Sequence, residues 1–184
     1  LSTAIKAIWL VETGVELYSL EVSQRTPDSR YPLMRLTKQT NYAIRLLMYC
    51  AANGAEPLSR VADIAKAYGV SELFLFKVLQ PLVQGKLVTA VRGRNGGIRL
   101  ARPADKITLL DVVRLTEESF SMAECFDEGA TDCPLIDACS LNSALRKALN
   151  AFFDVLESYT IAEIVRTKPD IRALLRLVDL KAAS

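Results

Sequence analysis

The stretch SRVADIAKAYGVSELFLFKVLQPLVQ, residues 59–84, decides how this chain folds. Its apolar residues fall into two runs at helical spacing, with Val61, Ile64, Ala65 and Tyr68 on one face of the first. Gly69 supplies the residue that ends a helix in the left-handed region, and Ser71 is a good N-cap for a second helix to about Gln84. Ala65 is small enough for two helices to approach, Gly69 permits the turn, and Leu75 packs back into the core. That is helix-turn-helix spacing. LVTAVR (87–92) and IRLAR (98–102) then read as short strands joined by Gly93-Arg-Asn-Gly-Gly97, a β-hairpin with Asn-Gly at its tip. A helix-turn-helix followed by a hairpin is a winged helix, so the fold class is mainly α with one β-hairpin wing.

Outward from this unit the pattern stays helical. From Thr37, the residues Ala43, Leu46, Leu47 and Cys50 share one face, which places Cys50 in a core as a small buried hydrophobe. A loop containing Asn53-Gly54 and Pro57 follows. After Pro103 a helix is expected over Thr108–Ser119, capped by Thr108 with Asp111 three positions on. A longer helix is expected from about Ser140 to Arg166, because no Gly or Pro interrupts it; it would be about 40 Å long. Along it Leu141, Leu145, Ala148, Phe152, Val155, Tyr159 and Ala162 recur at alternating spacings of four and three, the seam of a coiled coil. Leu149, Phe153 and Leu156 widen that face. A helix this apolar covers its own domain and still has a surface for a partner. A short amphipathic helix is expected over Ile171–Leu180.

The net charge of +2 is unevenly spread. Residues 34–104 carry eleven Lys/Arg against three Asp/Glu, whereas residues 105–184 carry nine against fourteen. A basic first module joined to an acidic second one points to a polyanion as the partner of the first. Arg92, Arg94 and Asn95 on the wing tip are placed to reach phosphates or a minor groove. Gly93, Gly96 and Gly97 let the backbone approach closely. Ser71 and Lys77 lie on the exposed side of the second helix of the pair, and Arg35 and Lys38 add phosphate contacts at the start of the first helix. Phosphate contacts position a protein on duplex DNA, and base-edge contacts select the sequence. The glycine-rich stretch is not a nucleotide loop, since it leads into a strand and lacks the Gly-Lys-Ser/Thr ending.

The acidic segment Ala123–Cys139 gathers three cysteines, Cys125-x7-Cys133-x5-Cys139, with a Gly and a Pro between them. A loop that collects thiols binds something soft, and the chain contains no histidine to share the work. Thiolate-rich sites favour zinc or iron–sulfur clusters over oxygen-seeking cations. Structural zinc normally takes four protein ligands in close pairs such as Cys-x2-Cys, unlike these spacings, and a thiol–disulfide switch is the other alternative. Catalysis is not expected: the usual general base is absent and no carboxylate pair or Ser/Lys arrangement stands out. With no catalysis, no small-molecule substrate is expected, and because no apolar run reaches the roughly 18 residues of a membrane span, no membrane is expected as a partner either. Four cysteines without a convincing signal peptide fit the reducing cytoplasm.

MRLTKQTNYAIR from Met34, the wing VRGRNGG (91–97) and the three-cysteine loop together resemble the Rrf family of winged-helix regulators. The resemblance runs from Met34 to about Val165. Within the family, MAECF (122–126) and CSLNSALRKALNAFF (139–153) look most like its rhizobial iron-regulator branch. The resemblance implies a homodimer joined through the long helix and one 4Fe–4S cluster per subunit, held by Cys125, Cys133 and Cys139. It also implies that cluster state controls binding to operator DNA, with iron-uptake genes repressed while iron is sufficient. Some relatives take a fourth ligand from a His where this chain has Asn142, others from an Asp where it has Asn41. The fourth position is therefore expected to be held by water, a small thiol, or one of Glu124, Asp127, Asp132 and Asp137. The expected division is an upstream extension (1–33), a winged-helix domain (34–104), a connecting helix and cysteine loop (105–139), a dimerisation helix (140–166) and a tail (167–184). Met34 is the expected natural start.

Overall fold

Thr37 accepts the Thr40 N–H at 3.2 Å, which caps α1 (Lys38–Asn53). The computed structural model describes residues 35–55, 58–94, 96–126, 133–134, 139–167, 170–175 and 177. The expected upstream extension lies outside the described residues, as do Pro57, Asn95, Asp127, Asp132, Asp137 and the side chain of Glu124. α1 buries Ala43, Leu46, Leu47 and Cys50, the face its periodicity predicts. α2 (Val61–Tyr68) ends at Gly69, whose φ of 64° is the left-handed cap. α3 (Glu72–Gln84) is capped by Ser71, which accepts the Phe74 N–H, and turns Leu75, Val78, Leu79 and Leu82 inward. These side chains join the α1 face in one core, and each fully buried aliphatic contributes about 1.5–3 kcal/mol.

The hairpin pairs β1 (Val88–Val91) with β2 (Gly97–Leu100) in antiparallel register, Val88 opposite Leu100 and Val91 opposite Gly97. A remote contact anchors it. Ser59, buried just before α2, exchanges both backbone hydrogen bonds with Ile98, at 2.9 and 2.8 Å. Gly97 is required beside that bridge, since a Cβ there would stand 2.8 Å from the Ser59 carbonyl oxygen.

α4 (Leu109–Thr116) carries the capping box expected of Thr108 and Asp111, but it is three residues shorter than its sequence pattern indicates. Glu117 leaves the helix with extended backbone, and its carboxylate accepts the Thr37 N–H at 2.8 Å. Phe120 then turns back to meet Phe153 edge-on, with ring centroids 4.9 Å apart.

The single helix expected from Ser140 to Arg166 is two helices, α5 (Ser140–Ser158) and α6 (Ile161–Arg166). At 1.5 Å per residue, α5 is about 28 Å long rather than 40 Å. The break at Tyr159–Thr160 has a specific cause. There the chain bridges to the start of α4: Leu109 N–H donates to the Tyr159 carbonyl and Ile161 N–H to the Ile107 carbonyl, both at 2.9 Å. Thr160 and Glu163 form a second capping box that restarts the helix. The break leaves Ile161 fully buried in the core. α7 (Ile171–Leu174) closes the described fold, with the Arg172 guanidinium donating to the Ala52 carbonyl at the C-terminal end of α1. A cation there complements the negative end of the helix.

Candidate nucleic-acid interface and cysteine centre

The outward face of the helix-turn-helix is built around rings. Tyr42 on α1 meets Phe74 at the start of α3 edge-on at 5.3 Å and Tyr68 at the end of α2 at 6.4 Å. Lys38 Nζ sits 5.0 Å from the centre of the Phe74 ring, and the Arg45 guanidinium lies over both Tyr42 and Tyr68. Tyr68 Oη donates to the Arg45 carbonyl at 2.9 Å, and burial pushes its pKa up to about 12, so the phenol stays a donor. Rings hold both cations by cation–π attraction while the charges stay exposed. Lys38, expected at the first helix, is thereby brought beside the N-terminus of α3. Arg45 was not legible as a site residue, although it lies two turns from Lys38 on the same face, with Tyr42 between them.

Arg35, Ser71, Lys77, Arg92, Gly93 and Arg94 are all exposed, while Gly96 and Gly97 are half-buried. Gly93 takes φ 111°, and the Gly96 N–H closes the wing turn on the Gly93 carbonyl at 2.9 Å. A Cβ on Gly96 would lie 2.4 Å from the Val91 carbonyl oxygen, so only glycine fits there. The turn holds Arg94 out at the tip. The result is a basic wing beside a capped, outward-facing helix, an arrangement suited to phosphate and groove contacts.

The second site lies at the N-terminus of α5. Cys139 is the N-cap of that helix, and its sulfur accepts the Asn142 N–H at 3.4 Å. The Asn142 side-chain amide donates to Cys125 Sγ at 3.3 Å, so one residue gathers two of the three expected thiols. Arg146 fixes that orientation: its Nε donates to Asn142 Oδ1 at 2.7 Å, and its guanidinium stacks 4.6 Å from the Phe126 ring centre. Cys133 is exposed, and none of the four cysteines is in a disulfide. Among the described residues, no three His, Cys, Asp or Glu side chains converge closely enough to hold a metal ion. The donor set still suits a soft metal centre, because two sulfurs here accept N–H hydrogen bonds of the kind that orient metal-bound thiolates. Asn142 and Arg146 are the residues that motif reading undervalued. Their signal was the i, i+4 spacing immediately after Cys139.

Cys50 stands apart from this centre. It is 1% exposed in the main core, and burial pushes its thiol up to about 12. The expected seam of α5 divides between two surroundings. Leu156 is buried, and Phe152 and Phe153 pack with it against Leu110 and Val113 of α4. Leu141, Val155 and Tyr159 remain 63%, 55% and 52% exposed, Ala148 is exposed, and Leu145 is half-buried. Among the described residues no helix is long and apolar enough to cross a membrane.

A run of side-chain hydroxyls joins two elements that flank these sites. The Thr116 hydroxyl donates to the Val112 carbonyl at 2.9 Å, so at its 2.7 Å contact with the Thr40 hydroxyl it accepts. Thr40 has then used its one proton and accepts from Thr37 at 3.0 Å. This directed chain of hydroxyls, buried at Thr40 and Thr116, ties the end of α4 to the start of α1. α4 leads into the cysteine segment; α1 carries Lys38, and Arg35 lies just ahead of its N-cap.

Comparison with known proteins agrees with this architecture. Residues 36–167 match the Rrf2 family of iron-dependent transcriptional regulators. Protein aau3 of Rhizobium meliloti (strain 1021) is 69% identical over 146 residues, covering 79% of this chain and 94% of the relative. The HTH-type transcriptional regulator NsrR of Bacillus subtilis (strain 168) is 40% identical, covering 79% of this chain and 100% of the relative. Among solved structures, T. potens IscR superposes with a TM-score of 0.60 at 21% identity over 82% of this chain and 97% of its own, a likeness of fold. The matched family and NsrR are described as transcriptional regulators, not as enzymes. With a winged-helix architecture and a family match across most of its length, this chain belongs to the Rrf2 family of transcriptional regulators.

Proposed function

We propose that the chain is an iron-responsive repressor that binds operator DNA as a homodimer in the cytoplasm, controlled by a labile 4Fe–4S cluster, and represses iron-uptake genes when iron is sufficient. The observation that carries this reading is the convergence of Cys125 and Cys139 on Asn142 at the N-terminus of α5. Cys125, Cys133 and Cys139 would hold the cluster, one per subunit. When bound, it supplies a soft anchor whose loss reports iron supply. Asn142 donates hydrogen bonds to sulfur here and is a poor iron ligand. The fourth iron position would then fall to water, a small thiol or a nearby carboxylate, a weaker hold than a fourth protein thiolate would give.

The remaining steps belong to the protein. Ordering the cysteine segment sets the end of α4, and the Thr37–Thr40–Thr116 hydroxyl chain passes that constraint to α1. α1 presents Lys38 to phosphates, joined by Arg35 ahead of its N-cap, α3 presents Ser71 and Lys77, and the wing presents Arg92 to Gly97, including Asn95. The exposed residues Leu141, Ala148, Val155 and Tyr159, with Leu145 and Phe152 beside them, form the self-complementary face of the dimer. Each two-fold pair then sets two recognition helices on successive major grooves.

The test is native mass spectrometry of anaerobically isolated protein during titration with an iron chelator. A dimer with one 4Fe–4S mass per subunit that loses iron stepwise is expected. Asn142→His, which offers a strong ligand, should slow that loss about tenfold, the lower end of what ligand-shell changes produce. Bound zinc, or protein that accepts no cluster, overturns the mechanism. A second reading, the same fold answering nitric oxide or redox state, is favoured by the 40% identity to NsrR. Cluster loss to nitric oxide but not to chelator would select it.

A further inference from the structure

Leu73 and Phe76 are large apolar side chains left 70% and 52% exposed on α3. They contribute little to the core, which α3 meets through Leu75, Val78, Leu79 and Leu82. A lone exposed Leu on a protein surface needs no explanation. These two sit three residues apart, one above the other on the helix, and both lie in its N-terminal half. Lys77 and Gln80 continue the same outward stripe and are also exposed. In a helix-turn-helix that half of the second helix is the part that meets base edges. The apolar group that base pairs offer in the major groove is the C5-methyl of thymine.

The surroundings decide between a nucleic acid and a protein as the occupant. Lys38 lies against the base of this helix on the Phe74 ring, Lys77 adjoins Phe76, and Arg92 and Arg94 stand on the wing. Residues 34–104 carry a net charge of +8. An apolar pair framed by cations matches thymine methyls framed by phosphates. We propose that Leu73 and Phe76 are specificity-determining residues that read thymine methyl groups in the major groove of the operator. This rests on the DNA-binding reading above and adds the chemistry by which the site is chosen.

The experiment uses the full chain in its cluster-loaded form and a duplex library with a randomised core. After selection, each thymine of the enriched site is replaced by deoxyuridine, which removes the methyl group and nothing else. Burying one methyl-sized group is worth about a fourfold change in affinity. The expected result is a loss of about fourfold at one or two thymines in each half-site. Leu73→Ala or Phe76→Ala should weaken binding and abolish the sensitivity to deoxyuridine at its own position. Arg94→Ala should weaken binding to every duplex while leaving that sensitivity intact. An enriched site indifferent to deoxyuridine, or one equally sensitive in wild type and both alanine variants, overturns this inference and leaves DNA binding standing. Failure to enrich any sequence, with no salt-dependent binding, overturns both. Loss of the dimer in Leu73→Ala with deoxyuridine sensitivity unchanged would assign the patch to a second copy of the chain and also overturn the inference.

Discussion

Replacing Thr40 with Val tests the link between the two sites. Thr40 is fully buried, and its hydroxyl oxygen lies 2.7 Å from that of Thr116. Val exchanges the hydroxyl for a methyl of similar size, so the change removes a hydrogen bond without opening a cavity. The lost bond costs about 1 kcal/mol. A methyl carbon also needs about 3.5 Å from the Thr116 oxygen, so one side must yield by roughly 0.8 Å, which adds about 1 kcal/mol of overpacking. The exposed Thr37 hydroxyl turns to water at little cost. We expect Thr40→Val to destabilise the apo-protein by about 2 kcal/mol, or about 4–8 °C in Tm for a chain of this size. Thr40→Ser keeps the hydroxyl and should cost about 1 kcal/mol for its lost methyl. Urea unfolding followed by far-UV circular dichroism at one fixed protein concentration reads both, since dimerisation makes stability concentration-dependent. In the cluster-loaded protein, Thr40→Val should also reduce the ratio of loaded to apo DNA affinity. A Thr40→Val change within 0.5 kcal/mol of wild type, or a larger loss in Thr40→Ser, would refute the hydroxyl chain as a structural link.

Gly97→Ala should destabilise by about 1–3 kcal/mol, because its Cβ would press on the Ser59 carbonyl and pry the wing from its anchor; thermal unfolding checks this, with Gly54→Ala as a control for positive-φ strain without a clash. Thiol labelling of the native apo-protein at pH 8 should modify Cys125, Cys133 and Cys139 and spare Cys50, which should react only on unfolding; labelling of Cys50 at the rate of the others would place it outside the core. The Cys50 thiol is raised above its ordinary value of 9.0, so its contribution to stability is complete below that pH and is lost as pH rises above it. Glu163 has the opposite sign. The backbone N–H of Thr160, joined by its hydroxyl, holds the carboxyl below its ordinary value of 4.5. Its contribution is present above pH 4.5 and is lost as pH falls through the folded value, so Glu163→Gln should flatten the acid limb of the stability profile.

What the chain determined by itself is the information carried within a turn or two of backbone. The inward faces of α1, α2 and α3, the left-handed stop at Gly69 and the caps at Ser71 and Thr108 depend on neighbours three or four residues away, and the sequence displays them directly. The same holds for the charge of the winged helix and for three clustered thiols without a histidine. Tertiary structure decided whatever depends on remote backbone. The long apolar run from Ser140 contains no helix breaker, yet it stops at Tyr159 because the remote residues Ile107 and Leu109 satisfy its backbone groups. Beyond that pairing, the capping box of Thr160 and Glu163 restarts the helix. Likewise, two apolar faces of α5 read as one seam, and packing against Leu110 and Val113 separated the buried face from the exposed one. Asn142 looked like a missing ligand until Arg146 fixed its carbonyl and turned its amide toward Cys125. Spacing along a chain specifies a helix, but which donor meets which acceptor across the molecule is a property of the folded whole.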